Sequence, residues 1–158
     1  MQRFVMSLAF CLVALTSAFA VPARPLYVPG GLPPAPPTAP KQGSLPFGPD
    51  GVARTEGMLD ANDPFNQQQR RHNEYTIHLE QGQKYQIDLM SDQFDTYLFL
   101  LNDAKKLLAS DDDGGEGLNS RLFFSPPQTG MYRIQASCFG GTATGRYSLI
   151  VRKLPAGQ

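Results

Sequence analysis

Short runs of alternating apolar and polar residues, separated by turns rich in glycine and proline, fill the sequence from about Val52 onward. An apolar residue at every second position buries one face of a β-strand. No segment keeps the 3.6-residue period of a helix over three turns. Turn signals recur every 8–12 residues. This pattern predicts an all-β sandwich of about eight strands, in which two antiparallel sheets each bury one face.

The phase of each run predicts which side chains point inward. "NEYTIHL" and "KYQIDL" flank a glycine turn and are predicted to form a hairpin. "DTYLFLL" is apolar on both faces, which is typical of a strand covered on both sides. The predicted inward residues of the alternating runs are Tyr75, Ile77, Leu79, Tyr85, Ile87, Leu89, Tyr132, Ile134, Ala136, Tyr147, Leu149 and Val151.

Residues 1–20 have the composition of a signal peptide. A short basic start is followed by an apolar run from Phe4 to Leu15 and by the small residues Ala18 and Ala20 at a cleavage site. The run is shorter than the roughly 20 residues that span a bilayer. We therefore expect an exported protein, periplasmic or extracellular, that does not insert into a membrane.

Residues 21–51 are predicted to be a disordered, proline-rich linker, because ten of the fourteen prolines lie between Pro22 and Pro49. The folded domain is then expected over residues 52–154. Without the signal peptide the chain has thirteen basic and fourteen acidic groups. This balance argues against a nucleic-acid partner, which would favour a strong basic excess. Cys138 is the one cysteine left after cleavage, so no intrachain disulfide can form.

The stretch "SDDDGGEGLNS" at 110–120 carries most of the chemistry that the sequence offers. Its spacing fits neither an EF-hand loop nor a glycine-rich β-helix repeat. Carboxylates among glycines nevertheless suit calcium, which takes 6–8 oxygen ligands. Two interpretations stay open, a calcium site and a solvated acidic turn. The candidate metal ligands are Asp95, Asp111, Asp112, Asp113, Glu116 and Asn119.

Catalysis is not expected. His72 and His78 are the only histidines, and no serine lies in a nucleophile motif. Consecutive aspartates in an open turn also lack the contrasting environments that separate an acid from a base.

Several motifs in order, "FDTYL", "LASDDD", "NSRLFF", "TGMYRI" and "GRYSLIV", resemble the bacterial pre-peptidase C-terminal domain. The resemblance covers about residues 55–153. It implies a jelly-roll-like β-sandwich that acts as a non-catalytic accessory module, and it places Asp95, Asp112 and Asp113 at recurrent acidic positions. Related modules bind calcium, but the peptidase that such a module usually accompanies is missing from these 158 residues.

The predicted function is therefore an exported, monomeric accessory module that binds protein or a cell-envelope polymer, with calcium as its candidate stabilising ion. The alternative is a carbohydrate-binding module of similar architecture. Exposure of the aromatic pair Tyr97 and Phe99 would favour the alternative, and their burial would favour the accessory module.

Overall fold

A computed structural model describes residues 42–155, so the predicted signal peptide and residues 21–41 of the predicted linker lie outside the described part. Every regular element within it is a β-strand, and it contains no helix that could cross a membrane. The strands are β1 Gln42–Ser44, β2 Val52–Leu59, β3 His72–Leu79, β4 Tyr85–Met90, β5 Thr96–Asn102, β6 Leu107–Asp111, β7 Ser120–Phe124, β8 Gly130–Cys138 and β9 Gly145–Lys153.

The strands form two sheets. Sheet A has the order β1-β3-β8-β5-β6, and sheet B has the order β2-β9-β4-β7. All neighbours are antiparallel except β1 and β3, which are parallel. Strands β2 to β9 follow the path of a jelly roll, in which successive strands pass between two facing sheets. The predicted sandwich is confirmed, with β1 as an additional edge strand.

The core between the sheets consists of the residues that the alternation predicted. All twelve predicted inward side chains are buried, and Leu59, Leu98 and Leu100 join them. Strand β5 lies between β8 and β6, and its residues Leu98 to Leu101 are buried on both faces. The predicted two-sided cover of "DTYLFLL" is therefore confirmed.

The predicted hairpin of β3 and β4 is wrong. A turn does form, with Gly82 at φ +82° and a hydrogen bond from Gln83 N to Glu80 O, but β3 enters sheet A and β4 enters sheet B. An alternating strand needs one buried face, and a partner across the core satisfies that need as well as a partner beside it. The alternation therefore could not distinguish the two arrangements.

The ordered fold begins earlier than residue 52. Gly43 lies opposite Tyr75 in the β1–β3 pairing, and Leu45 N donates to Thr76 O at 2.9 Å. The Leu45 side chain is 3% exposed and belongs to the core. The last ten residues of the predicted linker are thus part of the sandwich.

Candidate functional site

The acidic loop connects the two sheets at one end of the sandwich. Strand β6, at the edge of sheet A, ends at Asp111, and β7, at the edge of sheet B, begins at Ser120. The loop is attached to the start of β5, because Thr96 N donates to Leu118 O and Ser120 N donates to Thr96 Oγ1 at 2.8 Å. Thr96 is fully buried, so this attachment holds the loop against the core.

Three of the six candidate ligands form hydrogen bonds within or around the loop, and one of them, Asp112, accepts from Asp113 N through its Oδ1 at 3.1 Å. Asp111 Oδ2 accepts from the backbone N of Gly114 and of Arg121, both at 2.8 Å. Asn119 Oδ1 accepts from Ser91 N at 2.9 Å, and its Nδ2 donates to Glu116 O. Asp111 and Asn119 thereby set the shape of the loop.

The structure brings Asp95, Asp112 and Asp113 together. Burial raises the pKa of the Asp95 carboxyl, and the nearby charges of Asp113 and Asp112 raise it further, while Arg70 acts in the opposite direction. Asp95 Oδ1 is buried without a hydrogen-bond partner. A buried carboxylate oxygen that lacks a hydrogen-bond partner and is influenced by two further negative charges is an environment that a bound cation would stabilise.

The remaining candidate, Glu116, is exposed on the loop. Among the described residues, 42–155, no three acidic, histidine or cysteine side chains enclose a point where a metal ion could bind. In the described residues the six sequence-predicted ligands are therefore not assembled around one point.

Residues 73–137, from β3 to β8, match the family model described as "Bacterial pre-peptidase C-terminal domain". This segment of the sandwich is similar to that family. The resemblance noted in the sequence is confirmed over this segment, which includes the β5 strand and the whole acidic loop.

A solved structure shares the fold of the sandwich. The chain is similar to PliG of Aeromonas hydrophila, a periplasmic inhibitor of g-type lysozyme, at 13% identity and a TM-score of 0.57, over 73% of this chain and 99% of that one. It is also similar to the pre-peptidase C-terminal domain of a Bacillus anthracis collagenase, at 16% identity and a TM-score of 0.48, over 74% and 97% of the two chains. No curated protein matched the sequence.

The outer face of sheet A is covered by the segment 60–71. Phe99 is 2% exposed, and Tyr97 is half-buried beneath Arg70, whose guanidinium lies 4.2 Å from the tyrosine ring centre. Arg70 also donates to Cys138 O at 3.0 Å. Tyr97 and Phe99 therefore offer no open aromatic platform, which favours the accessory module over a carbohydrate-binding module built on this face.

The same cover buries polar residues that sequence reasoning missed. Glu74 is 3% exposed, and it accepts hydrogen bonds from Arg133 Nη1 at 2.9 Å and Gln135 Nε2 at 3.0 Å. Burial alone would raise the pKa of Glu74, but these two hydrogen bonds outweigh it and the pKa is lowered. The position of Glu74 on an outward phase gave no sign that the preceding segment 60–71 would cover it.

The side chains of His72 and Cys138 are both buried. The His72 ring packs beneath segment 60–71, with Nδ1 3.1 Å from Pro64 O, and Cys138 is fully buried in the core. Burial lowers the pKa of His72 despite the opposite effects of the Pro64 carbonyl, Glu74 and Asp63, while Lys105 adds to the lowering. The folded protein thus favours the neutral imidazole.

We expect the free energy of unfolding to fall between pH 7 and pH 5, partly because of His72. A histidine with a lowered folded pKa contributes stability above its unfolded value of 6.5, and that stability is lost as the pH falls toward the folded pKa. Urea unfolding at several pH values should show a shallower loss for His72→Gln than for the wild type. His78→Gln is the matched control, since His78 is exposed. Equal slopes for all three proteins would contradict the assignment.

Proposed function

We propose that this β-sandwich is an exported, non-catalytic binding module whose acidic end binds calcium through Asp95, Asp112 and Asp113. The observation that carries the calcium proposal is Asp95 Oδ1, which is buried without a hydrogen-bond partner beside the other two carboxylates. Asp111 and Asn119 hold the loop in shape, and Glu116 is an additional oxygen donor within the same loop.

The chemistry of the donors suits calcium. Calcium is a hard cation with 6–8 oxygen ligands and tolerates irregular geometry, so three carboxylates can be completed by loop carbonyls and water. Burial raises the pKa of Asp95, and the charges of Asp113 and Asp112 raise it further. A divalent cation would attract all three carboxylates and offset the repulsion between them.

The position of the site gives calcium a structural role. Asp95 directly precedes β5 in sheet A, whereas Asp112 and Asp113 belong to the connection that leads to β7 in sheet B. A cation shared by these residues would link the two sheets at the end of the sandwich. Outside the cell, where calcium is available at millimolar concentration, such a link would stabilise an accessory module that lacks a disulfide.

The binding role is supported by the family match and by the environments of the nucleophile candidates. Pre-peptidase C-terminal domains accompany other proteins as accessory modules, and in this chain Cys138 is buried and His72 lies against Pro64 O. The signal-peptide pattern of residues 1–20 supports export. We propose a protein or a cell-envelope polymer as the partner class.

Calcium is expected to raise the melting temperature of the mature protein. Extracellular calcium modules bind with dissociation constants of about 0.1–1 mM, so about 5 mM calcium should add roughly 1–2 kcal/mol, or about 5 °C, relative to an EDTA-treated sample. The double variant Asp112→Asn/Asp113→Asn should lose the rise. Glu56→Gln, which removes a charge from an exposed position on β2, should keep it. An unchanged melting temperature in the wild type would refute the calcium proposal.

A further inference from the structure

The outer face of sheet B is a second surface that the calcium site does not involve. Its central acidic residue, Asp88 on β4, is 1% exposed, because arginines from both neighbouring strands lie over it. Arg121 Nε on β7 donates to Asp88 Oδ1 at 2.5 Å, and Arg152 Nη1 on β9 donates to Asp88 Oδ2. The carboxylate thus fixes two guanidinium groups on an open sheet face.

These arginines remain accessible. The side chains of Arg121 and Arg152 are 36% and 41% exposed, and each uses only one of its nitrogens in the bond to Asp88. A guanidinium has five N–H donors, so most of the donors of each group are left for another partner. Because Asp88 already orders them, less side-chain entropy is lost when an anion binds.

A groove runs along β9 on this face. A hollow of about 470 Å³ is lined by Arg146, Ser148 and Glu56, and an adjoining hollow of about 330 Å³ is lined by Ser148, Glu56, Ile150 and Arg54. The outward residues of β9 are, in order, Arg146, Ser148, Ile150 and Arg152. At about 3.3 Å per residue, the two arginines at the ends lie about 20 Å apart.

The face combines positive charge with an exposed aromatic ring. Arg54, Arg121, Arg146 and Arg152 outnumber Asp88 and Glu56 on the outward positions of the sheet. Phe123 on β7 is 56% exposed and lies in register with Gln86, which in turn is paired with Arg152. Guanidinium groups pair with carboxylates, and an aromatic ring packs on the apolar face of a sugar.

We infer that the outer face of sheet B binds an acidic polysaccharide, with the chain lying along β9 between Arg146 and Arg152 and one sugar packing on Phe123. The excess of arginine favours an anionic ligand, and the exposed Phe123 ring on the same face of the sheet favours a glycan over an acidic peptide. This inference rests on the proposed role as an exported binding module, and it does not depend on calcium.

Binding of the mature protein to polygalacturonate tests the inference. Calorimetric titration in EDTA, at one fixed salt concentration, prevents calcium from cross-linking the polymer. Arg146→Gln and Arg152→Gln are each expected to weaken binding about fivefold to tenfold, and Phe123→Ala by at least about threefold. Lys106→Gln is the matched control, because it removes one positive charge from the exposed β5–β6 turn in sheet A. It should change the affinity less than twofold.

The Arg146→Gln variant separates a loss of binding from a loss of folding. The Arg146 side chain is exposed and lies in the hollow away from Asp88, so its replacement should leave the fold intact. Absence of binding to polygalacturonate would overturn the inference. Equal binding to polyglutamate, with no effect of Phe123→Ala, would overturn it in favour of a general anion surface. Loss of binding in Lys106→Gln as large as in Arg146→Gln would also overturn it. The calcium proposal is tested on other residues, so either proposal can fail alone.

Discussion

Replacing Gly57 by alanine is expected to destabilise the domain by about 3 kcal/mol or more, although the change adds a single methyl group. A Cβ at position 57 would lie 2.3 Å from both Cζ and Oη of Tyr147. The tyrosine cannot give way easily, because its ring is buried and its hydroxyl bonds to Asn73 Nδ2 at 2.9 Å and to Tyr75 Oη at 2.7 Å. Relieving the clash therefore breaks a buried polar cluster.

Gly130→Ala is the matched control for this prediction. Gly130 begins β8, and a Cβ there would meet nothing within 4 Å. Since alanine costs less backbone entropy than glycine, the control should be neutral or slightly stabilising. Urea unfolding of the two variants measures both effects. Similar stabilities for Gly57→Ala and Gly130→Ala would show that Tyr147 is not held as described.

Replacing Leu45 by alanine is expected to cost about 2–4 kcal/mol, as at other buried leucines. The sequence assigned this residue to a disordered linker, where the same change would have no effect on stability. In the structure its side chain is 3% exposed and its backbone N bonds to Thr76 O, which attaches residues 42–45 to sheet A. The variant thus tests where the domain begins.

Leu118→Ala provides the comparison, because the Leu118 side chain is 57% exposed. Its substitution should change the free energy of unfolding by no more than about 0.5 kcal/mol in calcium-free buffer. A protein that starts at residue 52 should likewise be less stable than one that starts at residue 42. Equal stabilities for Leu45→Ala and the wild type would place the domain boundary where the sequence suggested.

The alternation of apolar and polar residues was sufficient to predict the core, because a half-buried strand has an apolar residue at every second position. Tyr85, Ile87 and Leu89 show this clearly, as all three are fully buried. The same alternation does not indicate which strands are neighbours in a sheet. Strand β4 has the pattern that a hairpin partner of β3 would have. It nevertheless lies in sheet B, across the core from β3, where its neighbours are β7 and β9.

Long-range cover of the sheet faces was beyond sequence reasoning. Glu74 and Asp88 occupy outward phases, where exposure is the ordinary expectation, but segment 60–71 covers Glu74 and two arginines cover Asp88. Arg133, which bonds to Glu74, and Arg121, which bonds to Asp88, are 59 and 33 positions away in the chain. The arginines of sheet B acquire their proposed role only through this shared contact.

The sequence predicted the acidic residues of the loop as one set of metal ligands, whereas in the structure their side chains make different contacts. Asp111, Asp112 and Asn119 use their side-chain oxygens in hydrogen bonds within and around the loop, whereas Asp95 Oδ1 is buried without a hydrogen-bond partner. A run of consecutive acidic residues does not reveal which carboxylates turn back to the backbone. That distinction requires the positions of Gly114, Arg121 and Ser91, which donate those hydrogen bonds.

The most direct measurement is a calorimetric titration of the metal-free mature protein with calcium. One site with a dissociation constant of about 0.1–1 mM is predicted, and it should be absent in Asp95→Asn and in Asp112→Asn/Asp113→Asn but retained in Glu56→Gln. Absence of a binding isotherm for the wild type up to about 10 mM calcium, or equal binding by the Asp112→Asn/Asp113→Asn variant, would contradict the proposed site.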